Sequence, residues 1–231
     1  MTTERPRIVA LLPMKANSER VKGKNFRDFC GKPLFRWILD TLLEVEAIDQ
    51  VVINTDARQI LADNGLVDSD RVLIRDRPAE ICGDLVSMNL VLADDVENVD
   101  ADVYLMTHTT NPLLSAVTIE KALEAFLEAR AKGEADSLFT VDRIQTRFYR
   151  ADCTPVNHDP ANLVRTQDLE PWFEENSNLY LFTRDSFRAT QARIGPHPMM
   201  FETPKFESID IDTPADWDFA VAVLNYLRGS S

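Results

Sequence analysis

Between Pro13 and Asn25 the chain reads Pro-Met-Lys-Ala-Asn-Ser-Glu-Arg-Val-Lys-Gly-Lys-Asn, and six basic residues (Lys15, Arg20, Lys22, Lys24, Arg27, Lys32) stand between Lys15 and Lys32. The whole chain carries a formal net charge of −13, so this is a local inversion of sign, and such an inversion points to a small anionic ligand. Four cations and two small polar side chains in one loop can surround a triphosphate, neutralise it and orient it through directed hydrogen bonds. A solvated basic loop is the plainer alternative. Near the other end, Glu207-Ser208-Ile209-Asp210-Ile211-Asp212-Thr213 alternates strictly. In a strand this sets Asp210 and Asp212 on one face and the isoleucines toward the core. Two converging carboxylates suit magnesium, which combines a few carboxylates with water and phosphate oxygens. The competing reading is an acidic strand end that caps a helix beginning at Thr213-Pro214.

Those groups need a frame. Apolar periodicity predicts a strand over Ile8 to Leu12, a helix from Pro33 to about Glu46, and strands at Val51 to Asn54 and Val72 to Ile74. Ser87 is placed as the N-cap of a helix through Val96, followed by a strand at Val103 to Met106, a helix from Val117 to about Ala131 and a strand at Ser137 to Val141. Repeated βα units imply an α/β fold with three layers and a largely parallel sheet, whose ligands lie beyond the carboxyl ends of the strands. From Asp142 to Asn176 the pattern lapses into polar, proline-containing sequence with Phe148, Tyr149, Trp172 and Phe173 interspersed. Either this is an ordered surface excursion or it is an arm packed on a second subunit, where its aromatic residues are sheltered. Strands at Leu179 to Phe182 and Phe206 to Ile211 and a helix from Pro214 to about Leu227 complete one expected domain over 1–231.

Several classes are excluded. No G-x-x-x-x-G-K-[ST] and no G-x-G-x-x-G follows the first strand, which argues against P-loop kinases and NAD enzymes. The acidic balance disfavours nucleic acid. Cys30, Cys82 and Cys153 have no paired spacing, so neither a disulfide framework nor a zinc site is expected. With no apolar run near the roughly 18 residues of a membrane span and no signal-like N-terminus, a cytoplasmic enzyme is the expectation.

Leu12-Pro13-Met14-Lys15, Ser18, Arg20, Gly23-Lys24-Asn25 and Gly31-Lys32-Pro33-Leu34 resemble the opening signature of the acylneuraminate cytidylyltransferases. The resemblance continues through Asn54-Thr55-Asp56, Arg77-Pro78-Ala79-Glu80, Gly83-Asp84, Arg165-Thr166-Gln167-Asp168-Leu169, Glu175-Asn176 and Asp210-Ile211-Asp212, in family order over nearly the whole chain. It implies a Rossmann-like nucleotidyltransferase fold, magnesium as cofactor and a homodimer. Lys15, Ser18, Arg20, Lys24 and Asn25 would contact the phosphates or ribose of CTP, with Arg77 and Ser87 also holding the nucleotide. Asp210 and Asp212 would carry the metal, and Arg165 and Gln167 would reach the acceptor pocket of a neighbouring subunit. The implied reaction is attack by an acceptor oxygen on the α-phosphorus of CTP with loss of pyrophosphate, the charge being stabilised by the metal with Lys15 and Lys24.

The chain also departs from the family pattern. Lys15 stands where arginine is usual, keeping the charge but losing the planar fork. His108-Thr109-Thr110-Asn111-Pro112-Leu113-Leu114 replaces Gln-Pro-Thr-Ser-Pro-Leu-Arg, so His108 falls where a glutamine would meet a base or sugar, and Leu114 removes an arginine. These changes bear on the acceptor, expected to be an acidic sugar of the nonulosonic or 2-keto-3-deoxy acid class. Another acidic acceptor such as a phosphonate, a non-catalytic nucleotide-sugar-binding protein and a glycosyltransferase using a nucleotide sugar are the alternatives; the last shares the paired carboxylates but does not account for the basic loop.

Overall fold

The structure is a computed structural model that describes residues 5–16 and 21–229. Its frame is a seven-stranded sheet. In chain order the elements are β1 (Ile8–Leu11), a small hairpin of β2 (Asp28–Phe29) and β3 (Lys32–Pro33), α1 (Leu34–Glu44), β4 (Gln50–Thr55), α2 (Arg58–Asp63), β5 (Val72–Asp76), α3 (Met88–Asn98), β6 (Val103–Thr107), α4 (Ala116–Ala131), β7 (Ser137–Ile144), β8 (Trp172–Phe182), α5 (Arg184–Thr190), β9 (Pro198–Glu202) and α6 (Pro214–Gly229). The strand order is β5-β4-β1-β6-β8-β7-β9. All neighbours are parallel except β8, which runs antiparallel to both β6 and β7, so the sheet is mostly parallel as expected.

Central strands covered on both faces must be apolar on both, and β1 is a continuous Ile-Val-Ala-Leu run. Ile8 and Ala10 pack with Phe35, Ile38 and Leu39 of α1 and with Ile119, Leu123 and Phe126 of α4. Val9 and Leu11 face the other way, onto Leu92 and Val96 of α3 and Phe187 of α5. Three layers follow from this division. A third cluster joins Trp217, Ala220 and Leu224 of α6 to Phe29, Leu34 and Ile211, fixing the C-terminal helix over the basic loop.

The main correction concerns Phe206 to Ile211, which is not a strand. The ladder position beside β7 is taken by β9, which the sequence reading missed. The 206–212 segment is instead held by single bonds: the Glu207 carboxylate accepts from the Ser115 amide at 2.9 Å and hydroxyl at 3.0 Å, Asn178 Nδ2 donates to the Glu207 carbonyl at 2.9 Å, and the Ile211 amide donates to the Thr110 carbonyl at 2.9 Å. The alternation survives without a ladder, since Ile211 is fully buried between two less buried aspartates. The irregular excursion is also shorter than expected, because β7 extends to Ile144 and β8 starts at Trp172. Helices α2 and α5 are additions.

Gly195 lies where the chain returns toward β9. Its amide donates to Ser137 Oγ at 2.8 Å, and a Cβ there would stand 2.8 Å from Ser186 Cβ and against the Asp136 carboxyl group. Gly195→Ala is therefore expected to lower the unfolding free energy by about 1–3 kcal/mol in urea titrations. Unchanged stability would mean that this turn has room to spare.

Candidate active site

The sheet reverses its winding at β1, with β4 and β5 on one side and β6 on the other, and the crevice beyond the carboxyl ends of these strands is where such folds place ligands. A cleft of about 260 Å³ opens there, lined among others by Lys15, Lys24, Asn25, Arg77, Asp84 and His108. Each comes from the end of a strand or the loop beyond it.

Lys15 follows β1 and pairs with Asp84, while the Ala16 amide donates to Asp56 Oδ1 at 2.7 Å. Lys24 is in a short 3-10 turn over Lys24–Phe26, entered through Gly23 in the left-handed region at φ 60°, which glycine adopts without Cβ strain. Its side chain is buried, and the ammonium donates to the Ile211 carbonyl at 2.6 Å and to Asp212 Oδ1 at 3.2 Å. Asn25 acts as a brace: Nδ2 donates to the Lys15 carbonyl at 3.0 Å and Oδ1 accepts from the Thr109 hydroxyl at 2.7 Å. The basic loop is thereby tied to the loop after β6.

Arg77, after β5, donates through Nε to Asn54 Oδ1 at 2.9 Å and through Nη2 to the carbonyls of Asn54 at 2.8 Å and Met14 at 3.2 Å. Asn54 in turn donates to Asp94 at 3.0 Å and Asp95 at 2.9 Å. Arg77 thus sets the backbone of the Lys15 loop while facing the cleft. Ser87 is the N-cap of α3, accepting from the Asn89 amide at 3.3 Å, and lines an adjoining cavity instead of the main cleft. His108 is half-buried, and its pKa is pushed down to about 3 by burial, with the positive charges of Arg193 and Lys24 adding to the effect. It stays a neutral imidazole near neutral pH, and because arginine can only donate, Arg193 Nη1 at 3.5 Å makes Nε2 the acceptor.

Asp210 and Asp212 flank buried Ile211. Burial lifts the Asp210 carboxyl above the ordinary carboxylate range; a hydrogen bond from the Thr110 side chain opposes this and the Asp212 charge adds to it. Asp210 Oδ1 is buried without a hydrogen-bond partner, the state of an acceptor whose complement is a cation. The pair fits a divalent ion on that ground, although among the described residues no three or more His, Cys, Asp or Glu side chains converge on a metal-sized site.

Ser18 and Arg20 lie outside the described residues. The structure brings Lys15, Lys24, Asn25, Arg77 and His108 together around the cleft, with Asp212 on the Lys24 ammonium. It leaves Arg165 and Gln167 on the excursion: Arg165 is exposed and forms a bidentate pair with Asp168 at 2.7 and 3.0 Å, and the Gln167 carbonyl accepts from Gln145 Nε2 at 2.9 Å. Leu114 is buried in the core. Sequence reasoning missed Asp84 as the Lys15 partner, Thr109 as the Asn25 partner and Arg193 beside His108. Asp84 at least sits in the Gly83-Asp84 landmark, whereas nothing around Arg193 marks it.

A model of the cytidylyltransferase family matches residues 9–226. The chain belongs to the cytidylyltransferase family. It is 25% identical over 219 residues to the pseudaminic acid cytidylyltransferase of Campylobacter jejuni, covering 92% of this chain and 94% of that one. It is 29% identical over 226 residues to the CMP-N,N'-diacetyllegionaminic acid synthase of Legionella pneumophila, covering 91% and 93%. In fold it resembles CMP:2-keto-3-deoxy-manno-octonic acid synthetase complexed with CTP, with a TM-score of 0.65 at 17% identity over 96% of this chain and 99% of that one. No helix among the described residues is long and apolar enough to cross a membrane.

The His108 environment has a measurable consequence. An unfolded imidazole takes up a proton below its ordinary pKa, whereas the folded one resists until about pH 3, so its contribution to stability is complete above about 6.5 and is lost as the pH falls toward 3. Between pH 7.5 and pH 5 the native chain should lose ~2 kcal/mol of unfolding free energy relative to His108→Gln. A difference independent of pH would show that His108 protonates as readily in the fold as in water.

Proposed function

We propose that this chain transfers CMP from CTP to an acidic sugar of the nonulosonic or 2-keto-3-deoxy acid class and releases pyrophosphate. The observation that carries the proposal is the bond from buried Lys24, which lines the cleft on the N-terminal basic loop, to Asp212 near the C-terminus, which brings the aspartate-bearing segment against a cation of the cleft. The family match and the acidic-sugar substrates in the names of its relatives agree with it.

Lys15, Lys24 and Arg77 supply positive charge to the triphosphate, joined in this reading by Arg20, with the Ser18 hydroxyl offering a hydrogen bond. Asn25 and Arg77 fix the loop, so that the donors are aimed before the substrate arrives. His108, neutral and half-buried, offers hydrogen bonds to the base or the sugar. Asp210 and Asp212 would hold magnesium, which when bound supplies charge neutralisation to the phosphate oxygens. Setting the acceptor oxygen in line with the α-phosphorus is the task of the adjoining cavities between α3, β8 and the 206–212 segment. A cytoplasmic homodimer belongs to the same reading. The excursion exposes Val156, Leu163 and Val164, and the start of β8 exposes Phe173, a surface a second copy can cover while presenting its own Arg165 and Gln167.

Pyrophosphate release tests the reading. With CTP, magnesium and a panel of nonulosonic and 2-keto-3-deoxy acids, turnover is expected with at least one acid. It should fall by roughly a thousandfold in Asp210→Asn/Asp212→Asn, which should still fold, as read by circular dichroism. Equal rates with UTP or GTP would refute the base assignment. CTP binding without turnover on any such acid would refute the acceptor class.

A further inference from the structure

Beside the cleft lies a second cavity of about 280 Å³, lined by Ser87, Asn89, Glu175, Arg193 and Ile194 and sharing Met88 with the first. Its volume is near the lower end of the roughly 300–1,000 Å³ range of small-ligand cavities, enough for a single sugar. Glu175 also lines a third cavity that reaches Asp210, so the three openings surround one region.

The cations of this region differ in how firmly they are engaged. Lys15 is paired with Asp84, Lys24 donates at 2.6 and 3.2 Å, and Arg77 donates at 2.8 to 3.2 Å. Arg193 is held by its plane more than by its donors. Its guanidinium lies 3.8 Å from the centroid of the Tyr180 ring, and the Tyr180 hydroxyl is bonded to Glu175 and, at 3.2 Å, to Ser177. Burial pushes that hydroxyl up to about 12, so it stays protonated. By contrast, the Arg193 hydrogen bonds are at the limit of the interaction: 3.5 Å to His108 Nε2, 3.5 Å to Glu175 Oε1 and 4.0 Å to Met106 Sδ. A guanidinium stacked on an aromatic face and carrying loosely engaged donors is pre-oriented to take a planar carboxylate through two parallel bonds. Its side chain is 20% exposed, so it opens to the cavity while being shielded from bulk water.

We propose that Arg193 receives the carboxylate of the acceptor and is the residue that makes this enzyme select an acid. The inference rests on the acidic-sugar reading above and moves carboxylate recognition from Arg165, already committed to Asp168, to a residue of the same chain as the cleft. Tyr180 and Glu175 are positioning residues that keep the guanidinium plane in place. His108, touching Arg193 on one side and lining the nucleotide cleft on the other, stands at the junction of the two substrates.

The test compares steady-state kinetics of the native chain, Arg193→Met and Arg193→Lys, on whichever acidic sugar supports turnover and on its methyl ester. Arg193→Met should raise the acceptor KM on the order of 30-fold or more while leaving the CTP KM within about twofold. Arg193→Lys, which keeps the charge without the fork, should fall between them. The ester should be a much poorer acceptor than the acid for the native chain and indistinguishable from it for Arg193→Met, a pattern that a merely structural role would not produce. Equal losses on acid and ester, or an unchanged acceptor KM, would overturn the assignment while leaving the acidic-sugar reading intact. Absence of turnover by the native chain on every acidic sugar would overturn both.

Discussion

A lysine ammonium drawn out of bulk water carries a desolvation cost that only directed partners offset, and the Lys24 ammonium has two: the Ile211 carbonyl and the Asp212 carboxylate. This contact spans nearly the whole length of the chain. It requires Ile211 to present its carbonyl inward, which follows from the burial of that side chain beneath Trp217 and Phe29, and it requires the basic loop to turn at Gly23. The aromatic cluster is itself well fixed, with Phe29 edge-on to Trp217 at 5.2 Å and to Trp37 at 5.9 Å. Hydrophobic packing on one side of the segment thus sets the position of the charges on the other. The cleft-lining ammonium of Lys24 and the Asp212 carboxylate that meets it owe their places to that arrangement.

A second buried polar system supports the opposite wall. Arg75 pairs with Asp94 at 2.9 Å and with Asp95, and Asn54 passes the constraint from those carboxylates to Arg77. Asp95 is fully buried, and burial pushes its pKa up to about 6 against the opposing pull of Asn54 and Arg75. Groups in such a network hold one another in a single geometry, because any member that moves leaves a buried partner unsatisfied. Arg77 is therefore both a wall of the cleft and the clamp on the Met14 carbonyl, next to Lys15. Asn25 does the same from the other side through Thr109.

The cleft and the neighbouring cavity meet at His108 and Met88. The family pattern has glutamine where His108 stands, and the structure shows what the exchange brings: an imidazole kept neutral by burial and by two nearby cations. A cationic imidazole here would compete with the guanidinium of Arg193 for the same space. Neutrality lets the two groups stand 3.5 Å apart, and the aromatic face of Tyr180 takes up the remaining charge of the arginine.

The layered α/β architecture was legible along the chain, because strand-like and helix-like apolar periods alternate and repeated βα units build a largely parallel sheet covered on both faces. The sequence also determined that a basic loop follows β1 and that two aspartates flank a buried isoleucine, because these depend on local order along the chain. It misread 206–211 as a strand: alternation reports which side chains are buried, not whether the backbone finds a ladder, and β9 had already filled the available edge. The Ser87 cap was already legible in the chain, whereas tertiary packing alone brings Lys24 to Asp212 and sets Arg193 on Tyr180 beside His108. Those pairings join residues up to 188 positions apart, and no periodicity carries information over such separations. They are fixed by which faces the core brings together.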